Sequence, residues 1–227
     1  MPKPIRIPLF PLEVVLLPGT PLPLHIFEPR YKLMIQRCMD EHIEFGMVLA
    51  SGNAMAATGC TAEIVRKLKD YPDGRMDILT EGRSIFNLTH LIDEKAYYEG
   101  DVVYESDSDD PLDPAQEAKL IELFEQCHAM LFGQPWAGPN PPDEPQPSPQ
   151  GEPQTSPGVH PPRVYQLSYE IAALAPMELP QKQALLEAGS EAKRRGIMLE
   201  WLGRLLPKII ERQRGRKLAG GNGHALN

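Results

Sequence analysis

Residues 5–31 read IRIPLFPLEVVLLPGTPLPLHIFEPRY, and the reading of this stretch decides the fold class. Three short apolar runs, Ile5 to Leu9, Val14 to Leu17 and Leu22 to Phe27, are punctuated by Pro8, Pro11, Pro18-Gly19 and Pro21. Each run is too short for a buried helix and suits a strand, because proline fixes φ and removes a ladder donor. Pro18-Gly19 predicts a tight turn. The period then changes. Glu28-Pro29 has the form of a helix start, with Pro29 at a first-turn position where its missing N–H costs nothing. Beyond it Tyr31, Met34, Ile35, Cys38 and His42 fall on one helical face. The chain therefore opens with proline-punctuated strands that feed one amphipathic helix.

Further strands follow. Phe45 to Ala50 (FGMVLA) is a short buried strand, and SGNAMAATG reads as a small-residue loop. Gly59 to Lys69 alternates, Tyr71-Pro72-Asp73-Gly74 is a turn, and Met76, Ile78 and Thr80 alternate again, which predicts a long β-hairpin. Gly82 marks a bulge before Ile85 to Leu91, and Tyr97 to Tyr104 adds a last strand, for six or seven in all. From Asp113-Pro114 the period is helical, with Asp113 as N-cap and Glu117 strengthening the start. Gly133 to Pro162 holds eleven prolines among Gln, Ser, Gly and Glu, a composition that buries no core and predicts a long disordered insertion. Helical patterns resume in RVYQLSYEIAAL, LPQKQALLEA and EAKRRGIMLEWLGRLLPKIIERQRGRK. In the last, Met198, Leu202, Leu205 and Ile209 form a narrow apolar stripe, and Gly203 lies four residues before Pro207, where a small residue softens a proline kink.

The totals exclude several function classes. At 227 residues the chain can bury a sizeable core, and a net charge of −8 weighs against general affinity for nucleic acid. Cys38, Cys60 and Cys127 are widely spaced with no CxxC, which predicts buried free thiols in a reducing compartment. MPKPIRIPLF lacks the long apolar region of a signal peptide, and no run approaches the roughly 20 apolar residues of a membrane span. A cytoplasmic protein without a membrane partner is the expectation.

Three separated motifs in register resemble the N-terminal (substrate-binding) domain of Lon proteases, above all its stand-alone bacterial form. They are PLFPLEVVLLPGTPLPLHIFEPRY, GCTAEIVRKLKDYPDGRMDILTEGRSIFNL and YEIAAL…LPQKQALLEA…EAKRRGIMLEWL. The resemblance covers residues 5–212 except the Pro-rich insertion. It implies an α+β fold, with a PUA-like β-barrel-type subdomain carrying one inserted helix over residues 1–105 and then a helical bundle over 106–217. The bundle is interrupted at 133–162 and followed by a flexible tail, 218–227. The implied partner is an unfolded or tagged polypeptide, with a protease or chaperone as a further partner. ATP hydrolysis and proteolysis belong to other domains of that family. No GxxxxGK[ST] loop is present, and ten residues follow the last helix pattern, so the expectation is a non-enzymatic binding module without a cofactor.

Candidate residues are few. His25, Phe27, Glu28, Arg30 and Tyr31 sit at the strand-to-helix corner, where aromatic and arginine side chains make strong anchors for a recognition groove. The plainer alternative places Phe27 and Tyr31 in the core and has Glu28 and Arg30 cap and pair at the helix start. A free sheet edge that accepts an extended peptide is another candidate surface. Arg204, Lys208, Arg212 and Arg216 recur every four residues along one edge of the last helix. That edge is either a solvated face or, since PUA-like folds bind RNA, the basis of a rival nucleic-acid reading. No GxSxG nucleophile motif occurs, Cys127-His128 lacks a second ligand pair, and no catalytic or metal-ligating residue is assigned.

Overall fold

The computed structural model describes residues 3–52, 54–139 and 166–221, with side chains to residue 214. Its elements are β1 (Ile5–Leu12), β2 (Pro21–Ile26), α1 (Pro29–Glu41), β3 (Phe45–Ser51), β4 (Ala54–Asp70), β5 (Met76–Ile92), β6 (Glu99–Tyr104), α2 (Pro114–Phe132), α3 (Leu167–Leu174), α4 (Leu179–Leu186) and α5 (Glu191–Gly221). The Pro-rich insertion expected at 133–162 falls mostly outside the described residues.

Six strands form one mixed sheet in the order β2-β5-β4-β3-β1-β6, and β5 also pairs with β6. The pairings therefore close a ring through β5, β4, β3, β1 and β6, with β2 attached to β5. Only β1 and β3 run parallel among these pairs. A parallel pair needs a crossover, and β2 with α1 supplies it. Ile7, Leu9, Val48, Phe86 and Val102 form a buried cluster of this ring. The expected α+β architecture, with one helix inserted early among strands, is the one observed.

Three local expectations are corrected. Val14 to Leu17 is not a strand. Leu16 and Leu17 are buried, but the segment is held by the turn after it: Thr20 N–H donates to the Leu17 carbonyl, and Gly19 N–H donates to that of Gly82. The small-residue stretch after Ser51 is not wholly a loop. Gly52 takes φ 59°, and β4 begins at Ala54, with Ser51 opposite Ala54. His42 does not extend the apolar face of α1; it is the C-cap, at φ 52°. The bulge at Gly82 is present, since Cys60 faces Ile85 whereas Ala62 faces Gly82.

The described chain divides into two compact units. One holds β1 to β6 with α1, α3 and α4; the other pairs α2 with α5. In the second, Leu120, Phe124 and Cys127 of α2 and Met198, Leu202 and Ile209 of α5 are buried. Arg195 of α5 donates to Glu191 at 3.0 Å and to Glu117 of α2 at 2.8 Å. At the start of α2 the Asp113 carboxylate accepts from the Ala115 N–H at 2.9 Å. Asp113→Ala should cost about 1 kcal/mol of stability, read from a denaturant midpoint.

Candidate binding site

The site grows from two neighbouring features of the first unit: the corner between β2 and α1, and the turn between β4 and β5. At the corner Pro29 opens α1, and Glu28 makes no side-chain capping bond. Glu28 instead pairs with Arg30 at 2.9 Å, and the Arg30 guanidinium lies 4.5 Å from the Tyr31 ring centroid. Tyr31 itself is buried, its ring 4.1 Å from that of Phe10. At the turn, Gly74 adopts φ 78°, a conformation that favours glycine, and its N–H donates to the Tyr71 carbonyl.

Strand register brings the two features together. His25 of β2 lies directly opposite Asp77 of β5, and its Nδ1 is 2.5 Å from Asp77 Oδ1. The Tyr71 hydroxyl donates to the other oxygen of the same carboxylate at 2.8 Å. These bonds, from His25 first and then Tyr71, hold the Asp77 carboxyl below the usual aspartate range. The His25 ring stacks on Phe27 at 6.0 Å and meets the Tyr71 edge at 5.7 Å. Lys69 and Arg75 lie 4.5 and 5.0 Å from the Tyr71 ring centroid. Phe27 remains 58% exposed. An anchored, solvent-facing aromatic corner is the result.

Beside it runs an open groove of about 560 Å³ between α1 and the hairpin. Pro29, Lys32 and Leu33 form one wall, on one helical face; Lys67, Asp70 and Met76 contribute to the other. Lys32 Nζ donates to the Asp73 carbonyl at 3.0 Å and ties the walls together. Leu33 is 60% exposed, and Val65 and Leu68 of the hairpin are also exposed.

Of the five corner residues expected from sequence, the structure groups His25 with Phe27 and Glu28 with Arg30, and it sends Tyr31 into the core. Tyr71, Asp77, Lys69 and Arg75 were not singled out. The readable signal was the alternation on either side of the Tyr71-Pro72-Asp73-Gly74 turn, which places Lys69 and Tyr71 near Asp77. Closing the ring removes most free sheet edges. Those left among the described residues include β2, whose exposed side bears Pro21 and Pro23, and Glu63 to Asp70 of β4, beyond the end of β3 pairing at Ala62. On α5, Arg204 pairs with Glu200, while Lys208 and Arg212 are exposed. The side chain of Arg216 lies outside the described residues.

The three cysteines are free and buried. Burial pushes the Cys127 thiol up to about 11, Cys38 to about 12 and Cys60 higher still. Since the thiolate is the reactive form, a thiol-reactive dye at neutral pH should leave the native protein unlabelled. It should modify all three positions once urea unfolds the chain, read by mass spectrometry.

A family model described as the ATP-dependent protease La (LON) substrate-binding domain matches residues 6–204. The Lon protease of Parabacteroides distasonis is 30% identical over 135 residues, which is 55% of this chain and 16% of that protein. Lon protease 1 of Hydrogenovibrio crunogenus is 30% identical over 109 residues, 44% of this chain and 13% of that one. The matched regions thus span less than a fifth of these relatives' length. The structure is similar to a Lon N-terminal domain protein from Xanthomonas campestris, with a TM-score of 0.63 and 24% identity, covering 87% of this chain and 98% of that one. It is also similar to the N-terminal domain of Mycobacterium avium complex Lon protease, at 0.56 and 13%, covering 88% and 98%. These two likenesses establish a shared fold.

Proposed function

The chain belongs to the ATP-dependent protease La (LON) substrate-binding domain family, and from that membership we propose that it is a non-enzymatic polypeptide-binding module. In this reading it acts as an adaptor or chaperone-like accessory that holds unfolded or tagged polypeptide for a protease or chaperone partner. The observation that carries the reading is the exposed apolar surface at the β2–α1 corner: Phe27 and Leu33 stand in solvent beside an open groove. Exposed apolar side chains grouped at a concave site mark interaction surfaces more often than isolated ones do. Phe27 is stacked on His25, whose ring is in turn fixed by Asp77, so an incoming chain meets an ordered anchor and loses less side-chain entropy on binding.

The test is titration of the whole protein with dye-labelled reduced, carboxymethylated proteins and with their folded parents. Unfolded chains should bind and folded parents should not. A Phe27→Ser/Leu33→Ser variant should bind about tenfold more weakly with unchanged stability. Equal affinity for folded and unfolded forms, or none for either, removes the proposal.

A further inference from the structure

The charges around this groove are unevenly partnered. Arg30, Lys32, Arg66, Lys67, Lys69 and Arg75 outnumber Glu28, Asp70, Asp73 and Asp77 in a chain whose net charge is −8. Each of the four carboxylates is already engaged: Glu28 with Arg30, Asp70 with Lys67, Asp73 with Arg75, and Asp77 with His25 and Tyr71. Among the described residues Lys32 donates to a carbonyl and Lys69 lies over the Tyr71 ring, each near a carboxylate that is bonded elsewhere (Asp73 and Asp77), and none of Lys32, Lys69 and Arg66 forms an ion pair within 4 Å. The cationic side of this corner is therefore the unsatisfied one.

The backbone adds a second observation. From Glu63 to Asp70, β4 is paired to β5 on one side and has no strand on the other, because its pairing with β3 ends at Ala62. That free edge carries Arg66, Lys67 and Lys69 alongside Glu63 and Asp70, which are paired with Arg83 and Lys67, and Lys67 also lines the groove. A free edge offers main-chain bonds to an extended segment, while the groove offers apolar contact at Leu33 and Met76.

We propose that the groove between α1 and the β4–β5 hairpin takes an extended polypeptide segment in which apolar side chains alternate with carboxylates. The apolar side chains lie against Leu33 and Met76 on the groove face, and the carboxylates, on the other face of the added strand, reach Arg66 and Lys69, which sit opposite Leu79 and Asp77 in the ladder. This rests on the polypeptide-binding reading above and adds a charge requirement to it. Lysines on a free edge also discourage strand-to-strand aggregation; a purely protective role gives no selectivity for carboxylates. The two differ in what they predict.

The experiment uses the full chain and three dye-labelled synthetic peptides. One alternates leucine with aspartate, one replaces each aspartate by asparagine, and one replaces it by lysine. The aspartate peptide should bind about tenfold more tightly than the asparagine peptide at low salt. The ratio should shrink as ionic strength rises, and the lysine peptide should bind weakest. An Arg66→Glu/Lys69→Glu variant should reverse the order, and the milder Arg66→Gln/Lys69→Gln variant, a check should the first fail to fold, should level it. Peptides that bind regardless of charge, or a preference that survives loss of both cations, overturn the inference while leaving polypeptide binding standing. Failure of all three peptides and of the carboxymethylated proteins overturns both.

Discussion

Gly59→Ala should destabilise the first unit by about 3 kcal/mol, and no change at its side-chain neighbours should recover the loss. A Cβ at this position would lie 2.5 Å from the Met47 carbonyl oxygen and 2.5 Å from Cζ of Phe86. The oxygen belongs to the β3 backbone, which is held by pairing to β4 and to β1; it cannot move aside without breaking a ladder. Gly46→Ala makes the instructive contrast. There the three atoms nearest the added methyl all belong to side chains, Phe86 at 2.7 Å, Leu9 at 2.8 Å and Ile7 at 2.9 Å. Gly46→Ala alone should cost about 2 kcal/mol, and combination with Phe86→Leu should cost less than the two single changes summed, since the smaller side chain vacates the space. The double-mutant cycle, measured by urea unfolding, should show strong coupling at Gly46 and little at Gly59. Equal coupling at both would mean that the β3 backbone is not the obstacle.

These glycines mark where sequence reading stops. The strands of the hairpin, the turn at Gly74 and the bulge at Gly82 were legible because each has a local cause: alternation, turn chemistry, an isolated glycine in a strand pattern. Pro29 and Asp113 announced two helix starts for the same kind of reason. What was not legible is long-range. Val14 to Leu17 has a strand's composition, yet it is held in an irregular path by Gly82, 65 residues beyond Leu17 in sequence, where any Cβ would run into the Leu17 carbonyl oxygen. Ala54 to Thr58 has a loop's composition and is a strand because β3 pairs with it. The corner divides the same way. Tyr31 carries the helical period and is core, but Phe27, just past the last β2–β5 pair at Ile26, is exposed, and the meeting of His25 with Asp77 follows from register. Neither is written in local pattern.

The second large effect concerns the fastening of α1, on which the groove depends. Glu99→Gln should cost about 2 kcal/mol at neutral pH. Glu99 lies on β6 and is only 4% exposed; one of its oxygens accepts from Arg37 of α1 at 2.6 Å and from Lys95 at 2.9 Å. Arg37 also donates to Tyr97 Oη at 3.2 Å and to Glu41 at 3.0 Å, so a single guanidinium joins the helix to the strand ring. Glutamine keeps the shape of Glu99 and can still offer one carbonyl oxygen to both cations, but it removes the negative charge that assists both bonds. Burial by itself would raise the Glu99 pKa, but the hydrogen bonds from Lys95 and Arg37 outweigh it, and the carboxyl titrates below its ordinary value of 4.5. A depressed carboxylate contributes stability that is fully present above the unfolded-state pKa and disappears as pH falls through the folded one. The gap in urea midpoint between the native protein and Glu99→Gln should therefore be widest near neutrality and close progressively below about pH 4.5. Lys95→Ala should cost less, because Lys95 is half exposed while Arg37 retains the carboxylate. If α1 is fastened here, Glu99→Gln should also weaken polypeptide binding at pH 7 without touching any groove residue, and loss of stability with unchanged affinity would show that the groove holds its shape without this pin.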